Sequence, residues 1–507
     1  MTALRTLPRD GLASVVVFLV ALPLCMGIAI ASGMPPAKGL LTGIIGGLVI
    51  GFLSGSPLQV SGPAAGLAVL VFELVNSHGM AALGPVLLLA GLIQLLAGLL
   101  RLGGWFRVTA PAVVSGMLAG IGILIVLSQL HVMVDASPLA SGLDNLLAFP
   151  GALIDTLSLA NGSDALAAGA IGLGTIACMW LWDRHRPKRL RFLPGALIGV
   201  SLATLISSWL ALPIKRVELP ANLGDAIDWI GPQDLASLAN PELLVAALAM
   251  AFIASAETLL SAAAVDRMHS GPRSKFNREL SAQGVGNMLC GALGALPMTG
   301  VIVRSSANVQ AGACSRASTI LHGLWLLALV SLLPSVLQSI PIASLGGVLV
   351  YTGFKLVDPR AMRNLRQYGR VPPLIYIATA LCIVLTDLLT GVLTGFALTL
   401  LKLLWSASRL RIKLMPIESG HAELHLRGAA TFLRVPQLSA TLADIEPGTH
   451  LRICMDRLSY IDHACIELLE DWERSARLQG GSLTMGRRTA LKQRVEGRRR
   501  RVLAQTA

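Results

Sequence analysis

The chain has 507 residues, of which 54% are hydrophobic and only 14% charged, and its mean hydropathy is +0.69. Soluble proteins carry about 25% charged residues, so this composition excludes an ordinary soluble enzyme or a nucleic-acid-binding module. The formal net charge is +13. None of the seven cysteines forms a CxxC pair, so the sequence predicts neither a disulfide framework nor a structural metal site.

Long apolar runs follow one another along most of the chain and predict transmembrane helices. Runs of about 18 uncharged residues are typical of membrane spans, and the first run is too long for the apolar core of a signal peptide. We expect about fourteen spans, near residues 11–31, 39–53, 60–76, 84–100, 109–130, 165–182, 194–211, 241–264, 280–296, 299–311, 319–338, 342–357, 371–387 and 390–408.

Basic residues distinguish the two sides of this predicted bundle. With the N-terminus inside, the inner loops hold 17 lysines and arginines, whereas the outer loops hold three, Lys38, Lys215 and Arg216. Cytoplasmic loops carry the excess of basic residues in membrane proteins. The sequence therefore predicts that both termini are cytoplasmic.

Two of the predicted spans are interrupted by small residues and proline. Residues 55–72 read GSPLQVSGPAAGLAVLVF, with Ser61-Gly62-Pro63 before the helix, and residues 294–309 read GALPMTGVIVRSSANV, with Thr299-Gly300 before the helix. Non-helical backbone at membrane depth must be buried or must line a cavity. Matched interruptions in two halves are typical of a transporter site. Each break falls in the third span of a seven-span half, which predicts an inverted repeat.

The two interruptions predict an anion site. A helix N-terminus exposes free N–H groups and carries about half a positive charge, so two of them facing each other favour an anion. Arg304, about a turn and a half into the second half-helix, adds a full charge. The alternative is that both breaks are simple kinks and that Arg304 snorkels to the inner surface.

Glu257, in AFIASAETLLSAAAVD, is a carboxylate well inside a predicted span, with Ser261 one turn further on the same face. Intramembrane carboxylates are costly and mark functional sites. We expect this pair to carry a proton or to bind Na⁺, and a structural salt bridge from Glu257 to Arg304 is the alternative.

In the first span, ALPLCMGIAIASG places Pro23 among small residues, which fits either close helix packing or a loosened helix beside the pocket.

The chain changes character at about residue 411. HAELHLRGAATF alternates as a strand does, HACIELLEDWERSARLQG has helical periodicity, and GSLTM is typical of another strand. These segments predict a small cytoplasmic α/β domain over residues 411–486. The basic tail over 487–507, with eight basic residues and one glutamate between 487 and 501, is either a lipid-headgroup contact or a solvated end.

The stretch FNRELSAQGVGNMLCGALGALPMTGVIVRSSANVQAGA resembles the signature of the sulfate permease (SulP) family of anion transporters. Matching features also occur as ALP at 21–23, SGP at 61–63 and LVD at 356–358. The resemblance covers residues 10–410 in order, and the region after it resembles the STAS domain of this family.

The resemblance implies a fold of about fourteen transmembrane helices as a 7+7 inverted repeat with two half-helices, followed by the STAS-like domain. It implies a homodimer in a bacterial inner membrane that moves a small anion by an elevator-like step. It places the anion against Ser61, Gly62, Thr299, Gly300 and Arg304, with the first span around Pro23 and Cys25, and it assigns cation coupling to Glu257 and Ser261. Leu24 stands where many members have glutamine.

Several functions are compatible with the sequence. The first is a secondary transporter of bicarbonate or sulfate, with a C4-dicarboxylate as a further substrate class and Na⁺ or H⁺ as the coupling ion in place of any cofactor. The others are a membrane scaffold that presents the STAS-like domain to an unknown cytoplasmic partner, and a nucleobase permease. No nucleophile–base pair, phosphate loop or metal spacing indicates an enzyme.

Overall fold

The computed structural model describes residues 2–104, 111–139, 141–157, 163–187, 190, 193–220, 222–407, 410–418 and 420–485. The chain divides into two compact units, Met1–Phe396 and Ala397–Ala507. This division falls inside the last apolar helix, whereas the sequence analysis places the domain boundary after residue 410. The basic tail predicted over 487–507 lies outside the described residues.

Each of the fourteen predicted spans coincides with a helix. Among the described residues, six helices are long and apolar enough to cross a membrane by length and composition, and several shorter apolar helices accompany them. The helices are α1 (Thr2–Ala31), α2 (Pro36–Leu53), α3 (Ala65–His78), α4 (Leu83–Leu99), α5 (Pro111–Met133), α6 (Ser163–His185), α7 (Gly195–Trp209), α8 (Pro241–Val265), α9 (Phe276–Ala292), α10 (Ile302–Gln310), α11 (Ala317–Leu332), α12 (Ile342–Leu356), α13 (Val371–Leu385) and α14 (Leu388–Ala407).

The two interrupted spans are half-helices preceded by short strands. Strand β1 (Ser61–Pro63) precedes α3, and strand β2 (Met298–Gly300) precedes α10. At 1.5 Å per residue, the nine residues of α10 span about 14 Å, roughly half of a bilayer core of about 30 Å. A helix of this length covers only about half of a membrane span.

Helix contacts in the first unit repeat with the symmetry that the inverted repeat predicts. In an inverted repeat of seven helices, each helix corresponds to the one seven positions further along, so α4 corresponds to α11 and α2 to α9. The contact of α4 with α9 therefore corresponds to the contact of α11 with α2, and both contacts are present. The same holds for α1 with α11 and α8 with α4, and for α5 with α13 and α12 with α6. Helices α5 and α12 contact each other, as this correspondence requires.

A further helix, Gly142–Leu157, was not expected from the sequence. It exposes Leu146, Leu147 and Ile154 while carrying Asp144 in its first turn. This mixture is too polar for a spanning segment, and it forms no uninterrupted apolar run in the sequence.

Lys38, which the sequence analysis counts among the outer-loop charges, lies inside α2. Its side chain is only 4% exposed, and its Nζ atom lies 2.6 Å from a carboxylate oxygen of Asp228. The ion pair satisfies a lysine that would be costly to bury alone.

The second unit contains one four-stranded sheet in the order β3-β4-β5-β6. Strands β3 and β4 are antiparallel, whereas β4, β5 and β6 run parallel. The apolar residues of β4 and β5 pack with helix residues such as Leu438 and Leu469 in one core. The bounds are β3 (Leu410–Glu418), β4 (His421–Ala430), α15 (Val435–Ala443), β5 (His450–Ile461), α16 (His463–Leu478) and β6 (Ser482–Met485).

Candidate anion-binding site

The strands that precede the two half-helices pair with each other. Ser61 lies opposite Gly300 and Gly62 lies opposite Thr299 in an antiparallel ladder. The ladder continues at both ends, because the Ala64 amide donates to the Pro297 carbonyl and the Val301 amide donates to the Val60 carbonyl. The pairing satisfies backbone groups that lipid could not satisfy, and it brings the starts of α3 and α10 together.

Neither half-helix start is capped by a side chain. Ala64 precedes the first turn of α3, Val301 precedes α10, and neither provides a side-chain hydrogen bond. The first intrahelical bond of α10 runs from the Ser305 amide to the Val301 carbonyl. The first-turn N–H groups of both half-helices therefore have no serine or aspartate cap at the N-cap position.

A cavity of about 790 Å³ opens beside these helix starts. Helices α5 and α12 also line this cavity, and their polar lining residues are Ser115 and Thr352. The residues that line it near the half-helices are Leu24, Ile28, Ala65, Gly66, Glu257, Ser261, Gly300, Val301, Ile302 and Val303. One end of the cavity reaches Asp266, Arg267 and Arg273, in the connection between α8 and α9.

Glu257 and Ser261 both line this cavity from α8. The Oε2 atom of Glu257 and the hydroxyl of Ser261 are buried and have no hydrogen-bond partner. The backbone of Gly66 and the hydroxyl of Thr299 lie beside the carboxylate. A Cβ atom on Gly66 would lie 2.9 Å from Glu257 Oε2, so the close approach requires glycine. The Oε2 atom of Glu257 and the hydroxyl oxygen of Ser261 are thus available to a cation or a proton.

Arg304 is fully buried and does not line the cavity. Its guanidinium group lies against Gly62 and faces the Cys25 thiol, and its three side-chain nitrogen atoms have no hydrogen-bond partner. Within the described residues no ion pair joins Arg304 to Glu257, and Arg304 does not snorkel to the surface. A buried, unpaired guanidinium is costly, and an anion at the half-helix starts would offset that cost.

The residues predicted on α1 lie behind the cavity wall. Pro23 and Cys25 are buried and do not line the cavity, whereas Leu24 does. Ser61 and Gly62 are likewise covered, and the Ser61 hydroxyl accepts a hydrogen bond of 2.6 Å from Gln283 Nε2. The structure thus brings Glu257, Ser261 and Gly300 to the cavity.

Two residues that support the site, Thr258 and Gln59, were not predicted from the sequence. The Gly300 amide donates to Thr258 Oγ1 at 3.1 Å, and the Gln59 amide group donates to the Thr258 carbonyl at 3.0 Å. Thr258 thereby fixes β2 relative to α8. The polar spacing of Ser255, Thr258 and Ser261 along an apolar helix was the available signal.

Glu279, part of the recognised signature, holds the segment before β1. Its side chain is fully buried and accepts hydrogen bonds from Ser54 Oγ, Gly55 N and Ser56 N, at 2.6, 2.8 and 2.8 Å. Gln283 Nε2 donates to its other oxygen at 3.1 Å. The signature therefore stabilises the backbone that positions the first half-helix.

Comparisons with known proteins agree with this arrangement. Residues 7–379 match the model of the "Sulfate permease family". YvdB of Bacillus subtilis, named as a candidate sulfate transporter, is 29% identical over 403 residues, which cover 78% of this chain and 73% of YvdB.

Two solved structures share the fold. The transmembrane domain of a cyanobacterial bicarbonate transporter, BicA, superposes with a TM-score of 0.67 at 26% identity, covering 76% of this chain and 98% of that one. SLC26A9 superposes with a TM-score of 0.75 at 17% identity, covering 95% of this chain and 84% of that one. These matches confirm the predicted membrane fold with its C-terminal α/β region. The chain belongs to the sulfate permease family and is an integral membrane anion transporter, not an enzyme.

Proposed function

We propose that this transporter is a secondary active carrier of a small inorganic anion, bicarbonate or sulfate, coupled to Na⁺ or H⁺ through Glu257. The observation that carries the proposal is one cavity that touches both uncapped half-helix starts and the Glu257 carboxylate. The helix ends and the field of Arg304 attract the anion. The unpaired oxygens of Glu257 and Ser261 receive the cation.

The anion is held by backbone rather than by cationic side chains at the cavity wall. The first turns at Ala65 and Ile302 offer N–H donors, which suit a compact oxyanion. Arg304 does not reach the cavity wall. Its guanidinium group lies against Gly62 of β1, and its positive charge acts on the anion across this strand. Leu24 and Ile28 add apolar surface to the cavity. These side chains offer the desolvated ion no hydrogen bonds that would compete with those of the backbone N–H groups.

Orientation and assembly follow from the charge pattern and the family. We assign both termini to the cytoplasm of a bacterial cell, the transporter to its inner membrane, and a homodimer as the working state. The cavity end at Arg267 and Arg273 then faces the cytoplasm. We assign the transport function to residues 1–410 and the STAS-like domain, with its unknown cytoplasmic partner, to residues 411–486. For the basic tail over 487–507, which lies outside the described residues, a contact with anionic lipid headgroups and a solvated end both stay open.

Radiolabelled uptake into proteoliposomes tests the proposal. Bicarbonate and sulfate are compared in parallel, with and without a Na⁺ gradient and with and without a pH gradient. We expect uptake of one anion to depend on one of these gradients and to be lost in Arg304→Ala. Arg363→Ala, an exposed arginine on the helix Pro359–Arg366, is the matched control.

Other outcomes would redirect the assignment. Uptake of a C4-dicarboxylate in place of both inorganic anions would overturn the substrate class while leaving the pocket intact. Absence of flux for all three substrates would favour a membrane scaffold that presents the STAS-like domain.

A further inference from the structure

Among the described residues, only one face of the sheet of the second unit packs into an apolar core. Along β4, the buried residues Ala422, Leu424 and Leu426 alternate with residues on the opposite face. Glu423 and His425 lie on that opposite face, and each is only half-buried. Because side chains alternate along a strand, the two share one face two positions apart.

The neighbouring parallel strand completes a group of three ligand-type side chains. In the register of β4 and β5, His425 lies opposite Cys454, and Glu423 lies opposite Arg452. One potential ligand atom from each of Glu423, His425 and Cys454 lies within 4.8 Å of the other two. The register shifts directly after the His425–Cys454 pair, and such bulges re-aim side chains.

We propose that Glu423, His425 and Cys454 bind a zinc ion. A carboxylate, an imidazole and a thiolate form a donor set that suits Zn²⁺ and that the hard cations Ca²⁺ and Mg²⁺ do not select. Three protein ligands leave one tetrahedral position for water or for a partner group. The site could not be predicted from the sequence, because its cysteine and histidine lie on different strands and form no short metal-binding motif.

The contacts within the group are compatible with metal entry. His425 Nε2 lies 3.1 Å from Glu423 Oε2, and Arg452 Nη1 lies 3.4 Å from Glu423 Oε1. A Zn²⁺ ion takes the place of the contact between histidine and Oε2, while Arg452 continues to hold the other oxygen. Such outer contacts orient a ligating carboxylate. Binding converts the Cys454 thiol to a thiolate and releases one proton to solvent.

Metal titration of the full chain in detergent, after treatment with a chelator, tests the site. Co²⁺ serves as the spectroscopic probe, and Zn²⁺ is then added to displace it. We expect one Co²⁺ per chain with a thiolate-to-metal charge-transfer band. The band disappears in Cys454→Ser but remains in Cys382→Ser. His425→Ala weakens binding at least tenfold, whereas His421→Ala, on the same strand and face, leaves it unchanged.

A second measurement uses only the wild-type chain, so its result does not depend on whether the variants fold. In the wild-type chain, stoichiometric Zn²⁺ is expected to slow alkylation of Cys454, read by peptide mass, while the exposed Cys314 reacts at an unchanged rate. A wild-type chain that shows no thiolate band, or unaltered Cys454 alkylation, would overturn the proposal. A band that persists in Cys454→Ser would overturn it as well.

Discussion

The backbone of Gly62 lies directly against the guanidinium group of Arg304, with no room between them for a methyl group. Gly62 belongs to β1, which pairs with β2 just before the second half-helix. The one buried arginine of α10 is thus fixed by a residue from the other half of the repeat.

Gly62→Ala is expected to displace the guanidinium group and to reduce anion uptake at least tenfold. Overpacking of a filled site costs about 1–3 kcal/mol, so the melting temperature should fall as well. Gly174→Ala, which adds a methyl group to open space in α6, is the control. Uptake by Gly62→Ala at the wild-type rate would mean that the position of Arg304 does not matter for transport.

Arg304→Met separates binding from stability. Removing an unpaired buried charge relieves a desolvation cost, so the anion-free variant should melt no lower than the wild type. The anion should no longer stabilise it, whereas a wild-type chain at about 100 times Kd gains about 2.7 kcal/mol. Thermal melting with and without substrate measures both quantities. Persistent stabilisation by the anion in the variant would exclude Arg304 from the anion site.

Glu257→Gln is expected to abolish dependence of uptake on a cation gradient, because an amide can neither ionise nor balance a bound cation. Anion exchange at equal concentrations on both sides should continue. Glu242→Gln, an exposed position on the same helix, should behave as wild type. Uptake by Glu257→Gln that still follows the cation gradient would place coupling elsewhere.

Ser261→Ala distinguishes the two coupling ions. A hydroxyl oxygen can coordinate Na⁺, but protonation of Glu257 does not need it. We therefore expect at least a tenfold weaker Na⁺ dependence if Na⁺ is the coupling ion, and an unchanged pH-gradient dependence if it is H⁺. Uptake measured against graded Na⁺ and pH gradients gives the answer.

Glu279→Gln is expected to destabilise the first unit without touching the cavity. Hydrogen bonds to charged groups contribute about 1.5–3 kcal/mol, and Glu279 accepts several of them in a fully buried position. The variant should melt at a lower temperature than wild type, and the substrate affinity of its folded fraction should be preserved. An unchanged melting temperature would show that the contacts are energetically neutral.

The spans and the two interruptions could be predicted from local sequence. Apolar runs identify helices because a membrane-spanning helix needs about 20 consecutive, predominantly apolar residues. The Ser61-Gly62-Pro63 break shows where a helix cannot continue. Pairing of β1 with β2 could not be predicted, because a strand of three residues has no periodicity. The partners are also far apart in the sequence: Gly62 and Thr299, which lie opposite each other, are 237 positions apart.

Side-chain direction marks the limit of the sequence prediction at the site. Glu257 and Ser261 reach the cavity as their helical spacing indicates. Arg304 instead lies against Gly62, because its direction depends on packing against α1 and β1. The acceptor role of Glu279 depends on residues 223–225 positions away, which no local pattern reveals.

The short ladder between β1 and β2 also limits how the molecule can move. Each half of the repeat supplies one strand, so the two helix starts cannot separate unless buried backbone hydrogen bonds break in a medium that offers no replacement. A cycle that opened a cleft between the halves at this point would therefore meet a steep barrier. We therefore expect the bound ion and its cradle to move together, with α5 and α12 as the surface against which they slide.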